Sequence, residues 1–187
     1  MTCVVGLVEG NDVFIGADSA GVAGLSIAVR ADEKVFRNGE FVFGFTTSFR
    51  MGQLLRYRFS PPDLREGQSI MAYMVTDFID AVRATMADGG FLHTDNGRIS
   101  GGNFLVGFRG RLFEIDEDFQ VGERLGNFAA VGCGSDLALG SLFSTPRSAG
   151  PISRITTALG AAASFSAGVC APFCISSTRM EYEDVPE

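Results

Sequence analysis

Short apolar runs separated by turns of two or three residues recur along this sequence, and they commit the chain to a fold built on antiparallel sheet. Residues 3 to 8 and 12 to 17 are divided only by Glu9-Gly10-Asn11, which reads as two buried strands and a tight turn. Residues 34 to 37 and 40 to 46 flank Asn38-Gly39, a dipeptide suited to hairpins because both residues tolerate positive φ. Residues 103 to 109 and 111 to 116 form a third pair about Gly110, and residues 128 to 132 and 169 to 176 read as further strands. Pro172 has no N–H to give a ladder, so the last strand is expected at an edge or bulged there.

Helical segments alternate with these hairpins. Ser48 to Tyr57 has Ser48 as N-cap and Met51, Leu54 and Leu55 on one face, and Pro61-Pro62 prevents its continuation. Gln68 to Ala87 repeats apolar residues with a helical period, from Ile70 and Met71 through Phe78 and Val82 to Met86. Residues 135 to 143 and 153 to 165 form a second helical pair, whereas residues 88 to 102 show no periodicity and read as a loop. Seventeen Phe, no Trp and twenty-four Gly among 187 residues point to an aromatic core and many tight turns. The expectation is an α+β fold, which a four-layer αββα sandwich suits while other α+β arrangements stay open on pattern alone, in a single domain over residues 1–187 with a polar, acidic tail at 176–187.

A net charge of −7 argues against nucleic acid or an anionic membrane as partner. No apolar stretch is long enough for a membrane helix, and the N-terminus lacks a basic secretory pattern. Cys3, Cys133, Cys170 and Cys174 form no CxxC pair, and His93 is the only histidine, so no metal site is expected and free thiols in a reducing cytoplasm are. Neither acidic cluster, 114–118 or 181–184, has the pattern of a calcium loop.

Three residues carry the chemistry. Thr2 follows the initiator Met, where a small second residue allows methionine removal. Asp18 closes the second strand. Lys34 is the one lysine against fourteen arginines, a compact ammonium kept where guanidinium serves everywhere else. A free N-terminal threonine joins a nucleophilic hydroxyl to an amine with an ordinary pKa of about 7.7–8.0 that can act as its base. A lysine beside it places positive charge at the hydroxyl, and an aspartate stabilises that charge away from water. Cys3 as nucleophile would need Thr2 removed as well, and His93 has no partner motif for a Ser-His-Asp triad.

The stretches Thr2-Cys-Val-Val-Gly-Leu-Val, Val13-Phe-Ile-Gly-Ala-Asp18-Ser and Lys34-Val-Phe-Arg resemble the opening of proteasome β-subunits and of the bacterial HslV-type peptidase. There Thr-x-x-x-Gly is followed by x-Ala-Asp-Ser/Arg and then Lys-Ile/Val-x-x-Ile, and the intervals between Thr, Asp and Lys match those between Thr2, Asp18 and Lys34. Gly44-Phe-Thr-Thr-Ser48 with Gln53-Leu-Leu-Arg, Val131-Gly-Cys-Gly-Ser-Asp-Leu-Ala-Leu-Gly140, and Arg154 to Val169 with Ser166-Ala-Gly-Val extend the likeness over most of residues 2 to 176.

The resemblance implies an N-terminal-nucleophile (Ntn) hydrolase of the threonine peptidase branch. Thr2 would be nucleophile and base, Lys34 its activating charge and Asp18 the partner of Lys34. The Thr47 N–H would be the oxyanion donor, Ser135 would help hold the amine, and Ser166 would lie close to the same group. Three positions depart from the pattern: Thr47 replaces a glycine, Cys133 a serine, and Ala163 an aspartate found in many subunits. The implied function is hydrolysis of peptide bonds through an acyl-ester on Thr2 after loss of Met1, in a homo-oligomeric ring that takes peptides or unfolded proteins. An ATP-dependent unfoldase is an implied partner, and no cofactor or metal is. A non-catalytic assembly protein and a small-molecule amidase remain open on the same residues.

Overall fold

The structure, a computed structural model, describes residues 1–96 and 98–179. β1 (Cys3–Glu9) and β2 (Asp12–Ala17) pair antiparallel with Glu9 opposite Asp12, and Gly10, at φ 63°, supplies the positive φ of the two-residue turn. β5 (Val35–Asn38) and β6 (Phe41–Phe45) pair with Asn38 opposite Phe41. The turn is therefore Gly39-Glu40, one residue later than Asn38-Gly39. Asn38 joins the strand because its amide nitrogen donates to the carbonyls of Leu55 and Phe59 at the end of the next helix. β9 (Phe104–Phe108) and β10 (Arg111–Ile115) turn through Arg109 and Gly110, both at positive φ.

These hairpins build two main sheets. One has the order β12-β1-β2-β13, with β12 at Phe128–Gly132 and β13 at Cys174–Ser177. The other has the order β11-β10-β9-β6-β5, with β11, a short strand absent from the sequence reading, at Val121–Glu123. β13 lies at the edge of its sheet and starts at Cys174, later than the expected residue 169, because Pro172 interrupts the ladder before it. Val169 is apolar and buried, but it packs against the helices rather than pairing in the sheet.

Two further hairpins stand apart from the main sheets. β3 (Ala20–Ala23) pairs with β4 (Ser26–Val29), whose residues are all exposed, so no alternation of burial marked it in the sequence. β7 (His93–Asp95) pairs with β8 (Arg98–Ser100) within the segment expected to be a loop. The acidic residues from 180 onward, including the 181–184 cluster, lie outside the described residues.

α1 (Phe49–Tyr57) starts at Ser48, whose hydroxyl accepts the Arg50 N–H. The long helical run begins after Ser69 as α2 (Ile70–Tyr73), widens into a π-turn at Met74–Phe78, and continues as α3 (Ile79–Asp88). α4 (Ser135–Ser144) and α5 (Pro151–Phe165) follow β12. No helix among the described residues is long and apolar enough to cross a membrane.

Three apolar clusters hold these elements together. One joins Phe43, Phe104 and Phe113 of the five-stranded sheet to Met51, Leu55, Phe78 and Val82 of α1, the π-turn and α3. A second joins Val4, Val13 and Ile15 to Val42, Leu105 and Leu112, so it spans both sheets. The third joins Val5, Leu7 and Phe14 to Ala138, Leu142, Ile155 and Leu159 of α4 and α5. The sheets approach so closely that a Cβ on Gly44 would lie 2.5 Å from side-chain atoms of both Ile15 and Val4.

Candidate active site

Strand ends bring the three sequence-selected residues together. Thr2 precedes β1, Asp18 follows β2, and the two strands are neighbours in register, with Val4 opposite Ala17. Lys34 precedes β5 in the other sheet and reaches across from there. Its Nζ donates to Thr2 Oγ1 at 2.6 Å and to Asp18 Oδ1 at 2.8 Å. All three residues are buried, Lys34 and Asp18 at 2% exposure each.

Burying this ion pair is costly unless its remaining polar sites are filled. Asp18 meets that condition: Oδ1 also accepts the Cys3 N–H at 3.0 Å, and Oδ2 accepts those of Ala20 at 2.9 Å and Cys170 at 3.3 Å. The carboxylate is thus fixed by three segments of backbone as well as by the lysine. Burial, reinforced by the negative field of Asp18, pushes the neighbouring Cys3 thiol up to about 12, with a smaller contribution from Cys133 and an opposing one from Lys34. Cys3 is therefore a neutral core thiol rather than a thiolate nucleophile.

With Met1 attached, the Thr2 nitrogen is a peptide amide, and it donates to Cys133 Sγ at 3.3 Å. The same sulfur lies 3.4 Å from Thr2 O, to which it donates, and 3.5 Å from Ser166 Oγ. The flanking glycines allow this approach. At Gly132, φ is 98° and a Cβ would fall 2.3 Å from Thr2 O, while at Gly134 one would fall 2.9 Å from the Cβ atoms of Ala162 and Cys3. Ser135 opens α4 next to this element, but the side chain that reaches the Thr2 nitrogen is that of Cys133. Ser166 follows α5 and, among the described residues, reaches the site through the sulfur. Ala163 packs with the apolar cluster beneath α4 and α5.

Thr47 stands at φ 64°, a left-handed value that a β-branched residue rarely adopts. It lines a narrow cleft of about 60 Å³ together with Thr2, Lys34, Val22 and Phe49. The Arg30 guanidinium stacks 3.9 Å above the Phe49 ring, and Phe45 also borders the cleft. Chemically, the arrangement places an alcohol under a buried ammonium, beside a backbone nitrogen that would become a primary amine if Met1 were removed.

No protein-family model matches the chain, and no curated protein matches it in sequence. Solved structures do match in shape. BPH from Thiobacillus denitrificans superposes with a TM-score of 0.75 at 20% identity, covering 97% of this chain and 100% of that one. The same protein in complex with epoxomicin gives a TM-score of 0.74, also at 20% identity, covering 94% of this chain and 97% of that one. Eukaryotic HslV from Trypanosoma brucei gives 0.65 at 16% identity, with 94% of this chain and 98% of that one covered. These neighbours carry proteasome-like Ntn-hydrolase folds. The chain therefore has the proteasome-like Ntn-hydrolase fold.

Proposed function

We propose that this chain is a threonine-type endopeptidase, a single domain with a four-layer αββα arrangement, that cleaves peptide bonds through an acyl-ester on Thr2 once Met1 has been removed. The observation that carries this reading is Lys34 Nζ held 2.6 Å from Thr2 Oγ1 and 2.8 Å from Asp18 in a buried site. The freed amine takes the hydroxyl proton as Oγ1 attacks the scissile carbonyl, directly or through water. Lys34 stabilises the developing alkoxide. The Thr47 N–H, which donates to no other group among the described residues, serves the oxyanion. The Thr2 ammonium then protonates the leaving amine, and water hydrolyses the ester by the same route in reverse.

Cys133 holds the Thr2 nitrogen in this scheme, with Ser166 behind it and Ser135 as a further hydroxyl close by. The partners are copies of the same chain in a ring, peptides or unfolded proteins as substrate, and an ATP-dependent unfoldase. The ring-forming character of the proteasome-like neighbours supports self-assembly.

Intact mass with and without epoxomicin, the inhibitor seen with BPH, tests the chemistry. The expected result is a chain lacking one methionine that gains one inhibitor mass at Thr2, and no gain in Lys34→Ala. A chain that keeps Met1 and forms no adduct is a scaffold and not an enzyme. Native mass separates a ring from a small monomeric amidase.

A further inference from the structure

One of the three residues that depart from the proteasome pattern, Thr47, also has the most unusual backbone in the cleft. Ser48 N–H donates to Thr46 O at 2.6 Å across Thr47, so residues 46 to 48 form a γ-turn of the positive-φ kind, a rare and strained conformation. Glycine would adopt it freely, whereas threonine is among the residues it suits least. A merely tolerated threonine should show a side chain without partners, and this one has several.

Thr46 Oγ1 donates to Asn103 O at 3.1 Å, which leaves Thr47 Oγ1 as the donor to Thr46 Oγ1, also at 3.1 Å. Thr47 Oγ1 in turn accepts the Asn103 N–H at 3.2 Å. The two hydroxyls and the two peptide groups of Asn103 close a ring in which every proton has one acceptor. Thr46 N–H adds a further bond to Asn103 O at 3.0 Å. The other wall has been cleared for the side chain: a Cβ on Gly102 would stand 2.9 Å from Thr47 Cβ and 3.0 Å from its Oγ1. Gly102 is not among the positive-φ glycines, so space rather than conformation calls for glycine there.

We propose that the Thr47 hydroxyl is a positioning group, locking the strained turn to the start of β9 so that the Thr47 N–H stays fixed beside Thr2. The role in catalysis rests on the peptidase reading above, but the locking of the turn does not. A glycine here relieves the strain and loses the lock, so the residue common in the proteasome family is the wrong one for this chain.

The test combines amide hydrogen exchange at Ser48 and Asn103 with the rate of epoxomicin adduct formation, in the wild type and in Thr47→Gly, Thr47→Val and Thr47→Ser. Loss of the two hydrogen bonds made by the Thr47 hydroxyl predicts exchange faster by about tenfold or more in the Gly and Val variants. A displaced oxyanion donor predicts adduct formation slower by about tenfold to a hundredfold. Thr47→Ser, which keeps the hydroxyl, restores most of both. Unchanged exchange in Thr47→Gly overturns the lock. Faster exchange with an unchanged adduct rate overturns the positioning role. A wild type that forms no adduct overturns the peptidase reading instead, and exchange alone then decides whether Thr47 locks the turn.

Discussion

The two helix-facing cores are made of different materials. Beside the five-stranded sheet the core is aromatic: Phe41 stacks on Phe108 at 4.1 Å between ring centroids, Phe36 on Phe43 at 5.2 Å, and Phe59 meets Phe78 edge-on at 5.4 Å. Beside the four-stranded sheet it is aliphatic and small, with Ala130, Ala138, Ala158 and Ala162 among Leu142, Ile155 and Leu159. Large rings fill volume and bury much apolar area per residue. Alanines and glycines let backbones approach, and a Cβ on Gly16 would stand only 2.4 Å from Ile155. The tightly packed side is where Cys133, just before α4, meets the Thr2 main chain, with Ser166, just after α5, against its sulfur. One core mainly supplies stability, and the other fixes position.

Truncating the aromatic side should therefore cost stability and spare the site. Phe43→Ala, at a fully buried position among five other rings, is expected to lower unfolding free energy by about 3–5 kcal/mol in a denaturant titration. Its rate of epoxomicin adduct formation should remain near wild type wherever the protein is folded. A proportionate fall in that rate would break the comparison.

On the other side the balance reverses. Gly134→Ala introduces a Cβ 2.9 Å from Ala162 and Cys3, an overpacking that costs about 1–3 kcal/mol. Because it displaces the neighbour of Cys133, adduct formation should slow by more than the stability loss accounts for. Equal effects on both readouts would count against a positional role for this core.

Alkaline titration gives the smallest effect and compares the two cores directly. Cys3 belongs to the aliphatic side, and burial followed by Asp18 raises its thiol from 9.0 to about 12. Tyr73 belongs to the aromatic side, and burial followed by Asp77 raises its phenol from 10.0 to about 12. Both raised groups keep their protons longer folded than unfolded, so their contribution is complete below the unfolded value and is lost as pH rises through the folded one. Stability should begin to fall above pH 9 through Cys3, by about 1 kcal/mol per pH unit, and more steeply above pH 10 through Tyr73. In Cys3→Ala the fall between about pH 9 and 10 should be shallower, left to the raised thiols of Cys170 and Cys174, as read from urea midpoints across that range.

The sequence made the three central hairpins legible because turn chemistry and apolar runs coincide at Gly10, Gly39 and Gly110. It did not reveal β3 and β4, since the exposed residues of β4 leave no buried face to alternate. β7 and β8 were hidden for a related reason, in a stretch whose Gly, Asp and Asn residues read as loop. At the site, Thr2, Asp18 and Lys34 could be picked out by spacing and by the lone lysine. Cys133 could not. Its contact with the Thr2 nitrogen spans 131 residues and follows from the β1–β12 register that sets Cys3 opposite Gly132. The glycines on either side were the available signal, because they mark a backbone pressed against another chain segment.

The bond from the Cys170 N–H to Asp18 joins residues 152 positions apart. The carboxylate that steadies Lys34 therefore gains this partner only once residue 170 has been made. A nascent chain can place threonine, aspartate and lysine early, yet it lacks that donor until the segment after α5 arrives. A break in the chain anywhere before that segment would thus leave a buried carboxylate one donor short.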